Sequence, residues 1–461
     1  MLAPIPMLAV ALTSFAQPLA LHPENPHYFL FRGRPTVLIT STEHYGAVLN
    51  LDFDAIPYLD ELQARGLNLT RLFAGTYREV PGSFKIEHNT LAPRPGRYIA
   101  PWARTETPGA ADGGLKFDLD RWDEAFFHRL KAFLQEASRR GIVVELSLFS
   151  PMYEDVLWDV NSMNAHNNVN KLEEIPRTEV YTLKHPALLE KQLACVRKLV
   201  SELNEFDNLY FEICNEPYFA GITLDWQARV AATIVETERA LPAKHLIAQN
   251  IANGKARIET PNPAVSIFNF HYATPPGTVA LNFGLNKVIA DDETGFRGIG
   301  DHAYRTEAWE FLLAGGAVFD NLDYSFTSDH EDGTAKVAEP TPSGGGPALR
   351  QQLSILKRFL EGFDFVQMAP DKNIIKGGIP SGASARALAQ TGKAYALYIK
   401  GGTKADLELD IPAGSYRAEW LNPRTGRIDK AEDVQHPGGR LKLASPEYSE
   451  DIALRVVAKT P

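Results

Sequence analysis

The chain predicts an α/β fold: a (β/α)8 TIM barrel followed by a small C-terminal antiparallel β-sandwich. Three observations carry this. Eight β-rich runs alternate with longer helical patterns, the texture of a parallel sheet with crossover helices. The long connections (76–118, 151–185 and 327–347) all follow strands, and such loops gather at one rim of a barrel. Beyond about residue 366 the chain changes to short strands and tight turns. The expected division is 1–16 as a leader, 17–365 as the barrel and 366–461 as the sandwich.

The strands are expected at 35–43, 67–75, 141–150, 209–216, 245–252, 265–273, 287–293 and 317–326. Each is a short β-branched or aromatic run bounded by turn residues. The clearest helical pattern is 119–141, with Trp122, Phe126, Leu130 and Phe133 on one stripe. It opens on acidic residues and closes in Arg139-Arg140-Gly141, as dipole and capping arguments require. Segments 185–206, 303–316 and 351–363 behave alike, with Trp309 assigned to packing. No Gly-x-Gly-x-x-Gly follows a strand, so a dinucleotide fold has little support. Past 366, Pro-Ala-Gly (412–414) and Asn-Pro-Arg-Thr-Gly (422–426) supply turn chemistry.

Composition narrows the function classes. The net charge is −10 with no basic block, which speaks against a nucleic-acid partner and for a neutral or weakly charged substrate. After the N-terminus no apolar run is long enough to insert in a membrane. Cys195 and Cys214 fit no metal-ligand spacing and read as buried thiols. Residues 1–16 form an apolar stretch ending small-x-small at Ser14-Phe15-Ala16, without a leading Lys or Arg. The expectation is a signal cleaved after Ala16 and a secreted or periplasmic protein. Nothing in the sequence decides the oligomeric state.

The most informative stretch is 208–219, where a strand-forming run ends in Asn215-Glu216-Pro217. Pro217 cannot extend a ladder, so a carboxyl group is set at a strand's C-terminal tip. Strand periodicity puts Glu212, Cys214 and Glu216 on one face. A second acid ends the seventh strand: Asp291-Asp292-Glu293-Thr294-Gly295, with Glu293 toward the mouth if it shares parity with Asp291 and Ile289. Asp291 and Asp292 read as hydrogen-bonded loop acids. Two carboxyl groups facing each other across a glycosidic bond are what its hydrolysis needs, one as proton donor and one on the opposite face.

At these residues the chain resembles the clan A retaining glycoside hydrolases, including the cellulase-like family 5 and related bacterial polysaccharide-degrading enzymes. The resemblance covers roughly 28–365. It implies Glu216 as acid/base, Glu293 as nucleophile and Asn215 as partner of the sugar 2-hydroxyl. It likens Arg71 to the arginine beside the nucleophile, with pairing to Glu212 an equal reading, and His271-Tyr272 to the aromatic pair of the sixth strand, Tyr272 reaching the nucleophile. Glu43 and His44, ahead of Tyr45, could line the sugar subsite. Trp102, Trp158 and Tyr324 could serve as stacking platforms. The clan often ends its eighth strand in Trp; here Asn321, Asp323 and Tyr324 stand there.

The expected function is a retaining β-glycoside hydrolase acting on a poly- or oligosaccharide by double displacement. The alternative is a catalytically inactive carbohydrate-binding barrel. A metal-dependent reading would lean on Asp291, Asp292, Asp320, Asp323 and the loop 329–332. No His pair at i, i+4 and no calcium-loop spacing supports it, so no metal and no cofactor is expected.

Overall fold

The computed structural model describes residues 17–459; the stretch read as a secretion signal lies outside them. Eight parallel strands form the barrel: β1 (Leu38–Thr42), β2 (Leu69–Phe73), β3 (Val143–Ser147), β4 (Leu209–Glu212), β5 (Ile247–Asn253), β6 (Ile267–His271), β7 (Val288–Thr294) and β8 (Val318–Leu322). Ladders join β2 to β3 and each strand to the next through β8, which pairs with β1. Between β1 and β2 a side chain takes the ladder's place. Asn68 Oδ1 accepts from Ile39 N at 3.0 Å, and its Nδ2 donates to the Val37 carbonyl at 2.8 Å. An amide carries a donor and an acceptor, so it can stand in for a peptide at this seam.

Six long helices surround the strands: α1 (Ala55–Ala64), α2 (Glu124–Arg139), α3 (Pro186–Leu203), α4 (Leu224–Glu238), α5 (Asp301–Leu313) and α6 (Pro347–Glu361). Helix α2 starts later than the 119–141 pattern suggests. Residues Leu115–Trp122 are a strand paired with Trp102–Pro108, and Asp123 caps the helix by accepting from Ala125 N. The 76–118 connection is therefore partly a hairpin. Between β5 and β6 no helix forms, and between β6 and β7 there is only a short one, Gly277–Asn282.

The C-terminal part has a six-stranded and a three-stranded antiparallel sheet, formed from Ala369 onward, around a second apolar core that includes Trp420, Leu397 and Leu407. It rests on α5. Trp309 stacks on Tyr398 with centroids 5.2 Å apart, Arg305 forks onto Asp451 at 3.0 and 3.1 Å, and Glu310 meets Lys400 at 2.9 Å. Covered by the barrel on one side and this sheet on the other, α5 is buried from Tyr304 through Leu313. A three-stranded N-terminal sheet is tied to the barrel's base by Arg32 on Asp207 at 2.6 Å. Among the described residues no helix is long and apolar enough to cross a membrane.

Candidate active site

β4 carries Glu216 to the rim, but not by simple alternation. The ladder ends at Glu212, and Asn215 N then bonds the Phe149 carbonyl at 2.9 Å. Glu212 and Asn215, not Glu212 and Glu216, converge: both accept from Arg71 Nη2, at 2.7 and 2.8 Å. Glu216 itself takes φ +35°, a left-handed backbone that turns its carboxyl into the cavity. Tyr45 (φ +60°) and Tyr272 (φ +53°) share that rare conformation. Such strain clusters where a site over-determines geometry. Cys214 and Cys195 are buried free thiols, and burial pushes both up.

β7 departs from parity as well. Asp291 pairs with Phe270, yet Glu293 pairs with the very next residue, His271, so Asp292 is an inserted bulge residue. The bulge points Asp292 and Glu293, adjacent in sequence, at the same guanidinium. Asp292 Oδ2 lies 3.4 Å from Arg71 Nε and Glu293 Oε2 3.0 Å from Nη1. Asp291 and Asp292 are thus buried strand residues, a correction to their reading as loop acids. Both readings of Arg71 hold together, since it pairs with Glu212 and with Glu293.

Glu216 and Glu293 meet at one imidazole. His271 Nδ1 lies 3.3 Å from Glu216 Oε1 and 3.5 Å from Glu293 Oε1, and one oxygen of each carboxylate lies within 4.8 Å of the other. Their remaining partners differ in kind. Glu293 accepts from Tyr272 Oη at 2.6 Å, Tyr45 Oη at 3.0 Å and Arg71. Glu216 accepts from two phenols, Tyr153 at 2.5 Å and Tyr218 at 3.1 Å. Burial alone would raise Glu293, but the charge and hydrogen bond of His271, Arg71 and the Tyr272 hydroxyl hold it well below the usual carboxylate range. Burial likewise opposes charge on His271, and Glu293 and Asp292 outweigh it, so the ring stays protonated well above its ordinary pH. An imidazolium has no lone pair for the Asn250 amide that touches Nε2. The structure places Asn250 Nδ2 at that nitrogen and leaves Oδ1 without a partner among the described residues; a protonated ring calls for the reversed amide, with Oδ1 accepting.

Beneath the pair lies a floor of buried acids. Asn269 Nδ2 has two hydrogens but three carboxylate neighbours: Glu145 at 2.7 Å, Asp292 at 2.7 Å and Glu212 at 3.2 Å. Burial pushes Glu145 well up and Asp292 up to about 6, with Arg71 and His271 holding Asp292 down. Glu212, His271 and Asp292 lie within metal-ligating reach of one another, as do Glu216, His271 and Glu293. In both sets Arg71 and the His271 ring already supply positive charge. At the end of β8, Asp320 accepts from Thr42 and Asp323 from Ser41 and Arg350.

The remaining expected residues divide. His44, Tyr45, Asn215 and Tyr272 line a cavity of about 500 Å³ with the two glutamates, and Arg71 and His271 support them from below. Glu43 does not line it. Its carboxylate accepts from Gly46 N, Ala47 N and Thr90 Oγ1, stapling the turn that carries His44 and Tyr45. Gly46 is required there, since a Cβ would sit 2.3 Å from the Thr90 carbonyl. Trp102 is fully buried in the hairpin. Trp158 donates to the Ile175 carbonyl away from the cavity. Tyr324 is buried against His44 with ring centroids 5.6 Å apart. None of these three is a platform in the cavity. The residues missed are Tyr153, Tyr218 and Glu79, all cavity-side. Tyr153 stood in a loop already marked as rim, but no local pattern sets a loop side chain's direction.

No protein-family model matches the chain, and no curated protein sequence does. Solved structures do resemble it. A Bacteroides vulgatus protein provisionally described as a glycoside hydrolase superposes with a TM-score of 0.67, at 14% identity over 96% of this chain and 83% of its own. A glycoside hydrolase family 5 protein of the same organism gives 0.63, at 15% identity over 96% and 92%. A further glycoside hydrolase gives 0.63, at 15% identity over 96% and 97%. The fold is theirs. The likeness runs over 96% of this chain.

Proposed function

We propose that the protein is a retaining β-glycoside hydrolase acting on a carbohydrate substrate, with Glu293 as nucleophile and Glu216 as acid/base. The observation that carries this is the approach of two carboxylates within 4.8 Å around one imidazole at the mouth of the barrel. Retaining enzymes hold their carboxyl groups about 5–5.5 Å apart, whereas inversion needs roughly 6.5–9.5 Å to admit a water. The unequal surroundings support the roles. Two cationic groups and two phenols keep Glu293 ionised and ready to attack. Among the described residues Glu216 has two phenols and the shared imidazole around it and no guanidinium.

In the first step Glu293 bonds to the anomeric carbon while Glu216 delivers its proton to the departing oxygen. In the second, Glu216 takes a proton from water, whose oxygen replaces Glu293 at that carbon. Asn215, fixed by Arg71 and by Tyr153 at 2.9 Å, is the candidate partner of the sugar 2-hydroxyl. Segment 17–365 is read as the catalytic barrel and 366–461 as its buttress. Export with cleavage after Ala16 accompanies this reading, and the mass of the mature N-terminus tests it.

Proton NMR of the first-formed product tests the stereochemistry, with the β-anomer expected. Glu293→Ala should abolish turnover, with azide restoring formation of an inverted glycosyl azide. Glu216→Ala should spare the first step on substrates with good leaving groups. Near-wild-type rates in both variants would remove the site, and glycan binding without any hydrolysis would favour the inactive barrel.

A further inference from the structure

The cavity is chemically lopsided, and resting on the hydrolase reading we infer that its leaving-group side takes an apolar aglycone, alkyl or aryl, rather than a second sugar. The leaving group departs past the proton donor, so the residues around Glu216 mark that side. They are aromatic. Tyr153, bonded to Glu216, is flanked by Phe84 at 5.2 Å and Phe219 at 5.6 Å, and Tyr218 packs on Phe219 at 5.1 Å. Phe84 and Phe219 are 37% and 42% exposed. Large apolar rings left open beside a site mark a contact surface rather than a core. Phe84 also holds φ +53°, a costly backbone for a bulky residue that presents its ring at this edge.

Few polar atoms stand among these rings. The Tyr218 hydroxyl lies against Glu216 and Asn253, and the Tyr153 hydroxyl donates to Glu216 and accepts from Asn215 Nδ2. A second sugar would bring several hydroxyls to a wall with few partners, and each unmet one would cost binding. The lining at His44 and Glu79 is the reverse. His44 is buried beside Tyr45, its Nε2 3.4 Å from Glu79 Oε1, and among the described residues neither ring nitrogen makes a hydrogen bond. A buried, unpartnered imidazole next to a carboxylate is what a sugar ring's hydroxyls can satisfy. The glycone therefore sits toward His44 and Glu79, and the aglycone leaves across Phe84 and Phe219.

The test compares n-hexyl and methyl β-glycosides of one sugar with the matching β-linked disaccharide, on the full chain. A panel of 4-nitrophenyl glycosides chooses the sugar. Hexyl and methyl alkoxides leave with nearly equal ease, so their ratio reads the subsite alone. Burying two to three methylenes predicts about 15- to 60-fold higher kcat/KM for hexyl over methyl, and hexyl above the disaccharide. Phe84→Ala and Phe219→Ala should each shrink that ratio several-fold. A ratio near one, or a disaccharide better than the hexyl glycoside, overturns the inference while leaving hydrolysis standing. If nothing is cleaved, calorimetric affinities of hexyl and methyl β-glucosides, mannosides and galactosides supply the same ratio. A preserved preference then overturns the hydrolase reading alone.

Discussion

His271 lies between Glu216 and Glu293, its Nδ1 3.3 Å from one carboxylate and 3.5 Å from the other. One ring thus ties the two carboxylates electrostatically, while its far nitrogen reaches Asp292 at 3.5 Å.

Removing that ring should do more than slow the reaction. His271→Ala takes away the leading positive influence on Glu293, so its pKa rises. The acidic limb of kcat/KM against pH should move upward, and kcat/KM at the optimum should fall about 100- to 1000-fold. A slower variant with an unmoved acidic limb would reduce His271 to packing.

Arg71 serves Glu212, Asp292, Glu293 and Asn215 through three nitrogens while fully buried. A lysine offers one charged atom and no fork, so Arg71→Lys is not conservative here. Arg71→Met leaves buried carboxylates without a counter-ion and should lose about 3–5 kcal/mol. Denaturant unfolding checks this, and a loss below about 1 kcal/mol would show that the acids are protonated enough not to need the cation.

Stability should peak in mild acid. A carboxyl whose folded pKa lies above its unfolded value keeps its proton in the native state. Its contribution is full below the unfolded value and is lost as pH rises through the folded one. Burial raises Glu145, Asp291 and Asp320 in this way, and takes Asp292 from 3.8 to about 6. His271 and His44 are raised from 6.5 and act in the same sense at higher pH, burial opposing them and neighbouring carboxylates prevailing. Glu293, lowered from 4.5, gives way only as pH falls through its depressed value. The melting temperature should therefore decline from about pH 5 toward pH 8. Calorimetry showing a rise over that interval would contradict the assignment.

The β1–β2 seam offers a purely structural test. Asn68→Ala strips partners from Ile39 N and the Val37 carbonyl and should lose about 1–3 kcal/mol. Asn68→Asp keeps the acceptor but sets an oxygen against the Val37 carbonyl, and should be no better. Thermal unfolding that leaves both variants at wild-type stability would mean the seam is held elsewhere.

The strands and the terminal placement of the two glutamates were legible in the sequence. Apolar runs bounded by Gly, Pro and polar clusters are local signals, and all eight expected strands overlap the observed ones. The start of α2 was not legible, because 115–122 pairs with a strand lying outside the local window. Trp102 and Trp158 likewise could not be told from platforms, since whether a loop aromatic faces a cavity or a core depends on what folds over it. Periodicity located Glu216 and Glu293 but not their aim. That aim comes from a bulge at Asp292 and a left-handed turn at Glu216, local departures stabilised by Arg71, His271 and Tyr153. Those three arrive from β2, β6 and the loop after β3, and only the closed barrel brings them to one point.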